Sequence, residues 1–330
     1  MVMRFFKPLS GRLKIETEEF LASLGLRLDE HLDITVLVIE ENKVIATGSR
    51  QGSILKCIGV SAAHQRDGIT AKMVTALIKE AFSEGIHHLF LYTSPSNATF
   101  FEALGFFSIA YTEQVSLLEN KRNGVQNFVK GIRNLKAKGK IGCIVANCNP
   151  FTFGHQYLAE YAASKSDFVY FLVLSEEKSF FPADVRYRLA QEGLAHLSNV
   201  VVHSTGNYLV SQATFPDYFI KEKVNASQVY YDLDIAVFLE QIAIPLNIVT
   251  RFVGTEPSDA VTNAYNQRMK ELLPLRHVQL EEVPRKEVAH EFISASSVRN
   301  LMQEGDFEAI KKYVPQGTLD YIAGVMKHGV

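Results

Sequence analysis

Cysteine is scarce in this chain, and the little there is builds no framework. Cys57, Cys143 and Cys148 are an odd number, and none stands in a Cys-x-x-Cys arrangement. That argues against a disulfide scaffold and against a zinc site, and it suits a reducing compartment. Long apolar runs are missing as well. No stretch of about 18 apolar residues occurs, and the opening segment MVMRFFKPLSGRLKIETEEF lacks the apolar core of a signal peptide. A cytoplasmic location is the expectation. Charge of one sign is also absent: 34 basic against 36 acidic residues leave a net charge of −2. That balance gives no general attraction for nucleic acid or for an anionic membrane, so neither is expected as a partner. What is present is an ordinary globular composition, 47% hydrophobic and 21% charged, over 330 residues. That length has room for two domains with separate cores.

The chain is organised around Ile141 to Leu158, IGCIVANCNPFTFGHQYL. Ile141 to Ala146 has the length and β-branched character of a buried parallel strand, with Cys143 inside it as a small core residue. Asn147, Asn149 and Pro150 then break the pattern. Thr152-Phe153-Gly154-His155 follows, and Tyr157, Leu158, Tyr161 and Ala162 continue at helical spacing. A strand, a turn and a helix start make a place for a phosphate, because backbone N–H groups and the positive end of the helix dipole face the anion. Gly154 lets the backbone come close. Thr152 and His155 can donate to oxygens that gain charge in phosphoryl or nucleotidyl transfer. The plainer alternative is that Thr152 caps a helix and His155 sits satisfied in its first turn.

Ahead of this turn lies a different pattern. A helix is expected over Glu16 to Leu26, then strands over Ile34–Ile39, Val44–Thr47 and Ile54–Val60 in an antiparallel meander. An amphipathic helix follows from about Ala71 to Ser83, with Met73, Val74, Leu77, Ile78, Ala81 and Phe82 as its stripe. A strand over His88–Thr93 and a weakly apolar one around Val115, Leu117 and Leu118 complete the set. The run Gln65-x-x-Gly68-x-Thr70, with Asn97 and Phe100-Phe101-x-x-x-Gly105-Phe106 downstream, resembles the acetyl-CoA-dependent N-acetyltransferase superfamily. The resemblance implies a mixed-sheet domain over residues 1–115 and a CoA-like site at Gln65, Gly68, Thr70 and Asn97. Thr70 stands where that family usually has glycine or alanine. His64, His87 and His88 are candidates for a base by residue type only, so the domain fold, not acetyl transfer, is the expectation here. Residues 116–138 carry Lys121, Arg122, Lys130, Arg133, Lys136 and Lys138 and read as a solvated linker helix.

From residue 139 to 330 apolar strands alternate with helical segments, the signature of a parallel sheet with right-handed crossovers and ligands at the strand carboxyl ends. Strands are expected at Phe168–Leu174, Asn199–His203, Gln228–Asp234 and Ile248–Val253, and helices from Phe181, within Thr214–Lys221, and over Thr318–Met326. Asp232 and Asp234 would then end a strand, where they could hold magnesium or ribose hydroxyls. Gly254 and Glu256 suit a loop along a nucleotide edge. Ile293-Ser294-Ala295-Ser296-Ser297-Val298-Arg299 opens another helix, with small hydroxyls at its start and Arg299 one turn inside, a second anion site.

Thr152-x-Gly154-His155 with Ile293-Ser294-x-Ser296-x-x-Arg299, about 140 residues apart, resembles the nucleotidyltransferase superfamily. Lys178 and Arg186 are similar to its phosphopantetheine adenylyltransferase branch. The rarer feature is the pairing of the two domains, and with IGCIVANCNPFTFGH, ATFPDYFIKE, RFVGTEP and ISASSVRNLM it resembles the citrate lyase ligase family over nearly the whole chain. The resemblance implies an α/β protein, a mixed-sheet domain followed by a Rossmann-like parallel-sheet domain. It implies ATP with Mg2+ and acetate as substrates, and no tightly bound metal or organic cofactor. The partner would be the citrate lyase acyl carrier subunit with its phosphoribosyl-dephospho-CoA thiol, acetylated by way of acetyl-adenylate. His155, Thr152, Lys178 and Arg299 would be catalytic. ATP would meet Asn149, Pro150, Phe151, Thr152, Gly154, His155, Arg186, Gly254, Glu256, Ile293, Ser294, Ser296 and Arg299. Two other readings stay open: an adenylyltransferase acting on a phosphate acceptor, and a non-catalytic regulator that binds CoA and ATP.

Overall fold

The computed structural model describes residues 1–175, 179–209, 226–256, 259–288 and 291–328. They form two compact units: the described residues of 1–124 with 226–236, and those of 125–209 with 237–328. Each unit has one main sheet.

The first unit holds a seven-stranded mixed sheet. Strands β1 (Val2–Phe6), β2 (Ile34–Glu40), β3 (Lys43–Gln51) and β4 (Ile54–Val60) run as an antiparallel meander. β4 then pairs in parallel with β5 (Phe90–Thr93), and only through Ile54–Phe90 and Leu55–Leu91. β7 (Ser116–Glu119) and β6 (Phe107–Tyr111) close the sheet antiparallel. The two short strands β1 and β6 went unread in the sequence because each lies at an edge, where the alternation is half exposed. Helix α1 spans Gly11–Ser23 and α2 spans Ile69–Ser83. α2 buries Met73, Val74, Leu77 and Ala81 of the expected stripe against Val36, Val38, Leu55 and Leu91 of the sheet, with Ile78 partly buried and Phe82 exposed. Pro95–Ala103 forms α3.

The second unit holds a five-stranded, all-parallel sheet. In chain order its strands are β8 (Ile141–Ala146), β9 (Phe168–Val173), β10 (Val200–Ser204), β11 (Ile248–Gly254) and β12 (Gln279–Val283). Their spatial order is β10-β9-β8-β11-β12, so β8 lies at the centre with the order reversing across it. Every residue of β9 is buried, as a strand covered on both faces requires; each of its larger apolar side chains contributes about 1.5–3 kcal/mol relative to exposure. Helices α5 (Phe153–Lys165) and α6 (Ala183–Leu194) pack on this sheet with Phe151, Phe171, Phe181 and Leu189 in one core. Helices α8 (Ala260–Leu272), α9 (Ala295–Glu304), α10 (Phe307–Ile310) and α11 (Gln316–His328) follow β11.

Two expectations are corrected. Gln228–Asp234 is no strand: Ala226–Val237 is helix α7. Asp232 and Asp234 therefore lie on a helix of the first unit, not at a strand end beside the nucleotide motifs. The helical period was hidden because Val229, Tyr230, Tyr231, Leu233, Asp234 and Ile235 are all buried, which leaves only a narrow outward stripe at Gln228 and Asp232. The segment read as a solvated linker contains α4 (Gly124–Ile132), which keeps Lys130 outward but buries Val125, Val129 and Ile132. The helix expected within Thr214–Lys221, and Lys178, lie outside the described residues.

Candidate active site

The carboxyl ends of β8, β9, β11 and β12 share one edge, and the turn from Asn147 to Thr152 leaves it at the centre. Thr152 is the N-cap of α5, and a reciprocal capping box joins it to His155. The Thr152 hydroxyl accepts from the backbone N–H of His155 at 3.4 Å, and the backbone N–H of Thr152 donates to Nδ1 of His155 at 3.1 Å. Thr152 Oγ1 stands 2.9 Å from the same Nδ1. An Nδ1 that accepts leaves the imidazole proton on Nε2, so the neutral ring is a donor. Burial, with the positive charge of Arg285 second, pushes the His155 pKa from 6.5 down to about 4. His155 stacks on Phe151, centroids 5.7 Å apart. The plain reading of these residues as a cap and the functional reading are thus compatible: the cap is what fixes the donor.

Two motifs distant in sequence meet here. Arg299 Nη1 donates to the carbonyl of Asn149 at 2.5 Å, and Nη2 donates to Ser296 Oγ at 2.9 Å. Partial burial lowers the Arg299 pKa from its ordinary value, yet a guanidinium keeps its charge. Ser294 is the N-cap of α9, accepting from Ser297 N–H at 2.9 Å. Gly154 faces this helix start directly: a Cβ there would stand 3.2 Å from the carbonyl of Ile293. Glycine avoids that tight contact. Two further bonds brace the turn from behind, Phe153 N–H to Tyr313 O at 2.9 Å and Thr318 Oγ1 to Phe151 O at 3.1 Å.

Several foreseen residues act on the frame of the site. Arg186 is wholly buried, and its Nη1 donates to Asn147 O, Asn147 Oδ1 and Leu174 O at 2.6–2.8 Å while Nε donates to Phe181 O. It ties the carboxyl ends of β8 and β9 together. Asn149 Oδ1 accepts from Phe181 N–H at 2.9 Å. Pro150 and Phe151 are buried, as is Ile293. Gly254 ends β11, and its carbonyl accepts from the buried Asn266. Glu256 forms an ion pair with Arg285.

Arg285 and Lys286 were missed by the sequence reading. Arg285 Nε donates to Thr255 O at 2.9 Å and its backbone N–H to Thr255 Oγ1 at 3.2 Å. Lys286 Nζ lies 5.9 Å from the Tyr157 ring of α5, and its carbonyl accepts from Ile293 N–H. Both follow β12, whose sequence QLEEV buries only Val283 outright and so gave no strand signal. The arrangement is a cationic, donor-rich cradle at two helix starts, fit for a polyphosphate.

In the first unit, Gln65, Thr70 and Asn97 line one cavity of about 550 Å³ with Ile58, Val60 and Tyr92. It opens where β4 and β5 stop pairing. Gly68 stands just before α2 with φ +68° and does not line the cavity.

The family model described as the citrate lyase ligase C-terminal domain matches residues 141–322. The chain belongs to the citrate lyase ligase family. The match covers the whole parallel sheet and both anion motifs, and a model of the acetyltransferase (GNAT) family matches residues 9–106. The [citrate [pro-3S]-lyase] ligase of Klebsiella pneumoniae is 35% identical over 92% of this chain and 91% of its own. That of Escherichia coli K12 is 34% identical over 98% and 94%. The phosphopantetheine adenylyltransferase of Streptococcus gordonii is 29% identical over 44% of this chain and 89% of its own. This citrate lyase ligase family member therefore carries an acetyltransferase-like mixed-sheet domain ahead of a nucleotidyltransferase-like one.

Proposed function

We propose that the chain condenses acetate with ATP to acetyl-adenylate, then passes the acetyl group to the thiol of the phosphoribosyl-dephospho-CoA group on the citrate lyase acyl carrier subunit. The observation that carries this reading is the bond from Arg299 to the Asn149 carbonyl, which joins two nucleotide-type motifs into one cradle in a member of this family. In the first step an acetate oxygen attacks the α-phosphorus, the bond from that phosphorus to the β-bridging oxygen breaks, and pyrophosphate leaves. In the second the thiol sulfur attacks the acetyl carbonyl carbon, its proton is lost to the medium, and AMP leaves.

Acetate is already ionised at neutral pH, so the first step needs no general base. It needs alignment and charge stabilisation. Neutral His155 offers Nε2–H to the α-phosphate oxygens, with Thr152 and the start of α5 beside it. Ser294, Ser296, Arg299 and the start of α9 take the β- and γ-phosphates. No cluster of three or more His, Cys, Asp or Glu side chains suited to a metal occurs among the described residues. Magnesium would enter with the substrate as MgATP and offset the charge of the leaving pyrophosphate. The cavity of the first unit suits the slender arm that carries the thiol, with Thr70 and Asn97 at its wall.

A second reading is favoured by the Streptococcus gordonii relative: adenylyl transfer to a phosphate acceptor of the phosphopantetheine type. The deciding experiment incubates the deacetylated carrier with labelled acetate, MgATP and the protein. One acetyl group gained on the carrier thiol, with AMP formed in equal amount, supports the ligase. A dinucleotide-type anhydride formed from 4′-phosphopantetheine, with no carrier acetylation, replaces it by the adenylyltransferase.

A further inference from the structure

Arg285 is held on two sides. Its Nε is bonded to the Thr255 carbonyl and its Nη2 to the carboxylate of Glu256, whose side chain is only 9% exposed. Its Nη1 group has no partner among the described residues and is not enclosed. The same guanidinium is close enough to His155 for its charge to act on that ring. The next residue, Lys286, lies over Tyr157 of α5, and its carbonyl receives the N–H of Ile293, whose own carbonyl lies against Gly154. Arg285 thus sits on the connection that runs from the end of β12 to the second anion motif, facing the first.

A guanidinium fixed at Nε and Nη2 has already lost its rotamer freedom, and the pair of N–H groups left on Nη1 can donate to an anion at little further cost. Glu256 is its one salt-bridge partner among the described residues, and the charge of Arg285 also reaches Asp259, whose carboxyl it helps hold below the ordinary value. The site beside it gathers His155, Arg299 and two helix starts, all suited to phosphate oxygens.

We propose that Arg285 is a phosphate-binding residue of the adenylation site, donating from Nη1 to the polyphosphate of ATP, and that Glu256 is its positioning residue. The proposal rests on the ATP-binding reading above, and gives Glu256 a different part from the one its sequence position suggested. Glu256 acts on ATP through Arg285. As pyrophosphate departs, charge grows on its oxygens, and the fixed donor meets it without rearrangement.

The test measures ATP binding by calorimetry without acetate, in the wild type, Arg285→Gln, Arg285→Lys, Glu256→Gln and the double variant Arg285→Gln/Glu256→Gln. Loss of one charge-assisted donor should weaken ATP binding about tenfold to a hundredfold in Arg285→Gln. Arg285→Lys should recover only part, since a point charge lacks the fork. Glu256→Gln should lose less than Arg285→Gln, and the double variant should lose no more than Arg285→Gln alone. The nuclear magnetic resonance titration of His155 should also move upward in Arg285→Gln, which checks independently of ATP that the guanidinium stands near that ring. ATP affinity of Arg285→Gln and Arg285→Lys within twofold of wild type would overturn the proposal, as would full additivity of the two single losses. Because no acetate is present, a wild type that binds ATP but forms no acetyl-adenylate sinks the acetate reading and leaves this comparison standing.

Discussion

His155 carries the sharpest consequences at the scale of single residues. Its pKa is pushed below the ordinary 6.5 to about 4, so the ring is neutral at neutral pH and well into the acid range. Between those two values the unfolded chain binds more protons at this residue than the folded one. This residue's contribution to stability is therefore complete above about pH 6.5 and is lost as pH falls toward 4. An imidazole titration followed by nuclear magnetic resonance should place its midpoint well below that of an exposed histidine; a midpoint near 6.5 would remove the neutral-donor assignment. His155→Ala should lower acetate-dependent turnover by roughly 100-fold to 1,000-fold, the usual loss for one donor to developing charge. ATP affinity should stay within about threefold, since the donor acts mainly in the transition state. Equal losses in binding and turnover would contradict that role. The form of the Thr-x-Gly-His turn was legible because its residues have separate local duties, the cap at Thr152 and the close approach at Gly154. Arg285 was not legible, because an arginine after a weak edge strand has no local pattern to mark it.

The relevant element is the turn between β8 and α5, and its shape depends on partners far away in the chain. Phe151 packs on Gly193 of α6 so tightly that a Cβ there would stand 2.3 Å from the ring. Alanine is the better helix former by about 1 kcal/mol. Overpacking a dense core costs about 1–3 kcal/mol, and the buried ring has little room to yield. Gly193→Ala should therefore be net destabilising, seen as a lower Tm. It should also slow adenylation although Gly193 touches no substrate, because Phe151 stacks on His155. Unchanged Tm and activity would show that the turn tolerates a shifted Phe151. Strands β4 and β8 were read from sequence at their observed bounds, since each is a short apolar run ended by polar or glycine breaks. Helix α7 was misread for the opposite reason: burial of most of its surface selects aromatic and β-branched residues that look like a strand.

In the whole molecule two nucleotide-type folds stand in one chain, and this pairing made the family legible when neither half alone did. Under the proposed reaction the halves divide the chemistry, carboxylate activation in the parallel-sheet unit and the thiol arm in the cavity of the mixed-sheet unit. Filling that cavity with Thr70→Trp should raise KM for the carrier at least several-fold and leave acetate-dependent exchange unchanged. A KM for the carrier equal to that of wild type would take the arm away from this cavity. What the sequence hid at this scale was the reach of each unit along the chain. Contacts place 226–236 with the first unit and α4 beyond Gly124 with the second, and such long-range membership leaves no periodic mark.

The most direct measurement is exchange of labelled pyrophosphate into ATP, with magnesium, in the presence and absence of acetate and with no carrier. Reversible formation of acetyl-adenylate predicts exchange that requires acetate and disappears in His155→Ala. No exchange with acetate, together with exchange on adding 4′-phosphopantetheine, would contradict carboxylate activation and assign the site to adenylyl transfer.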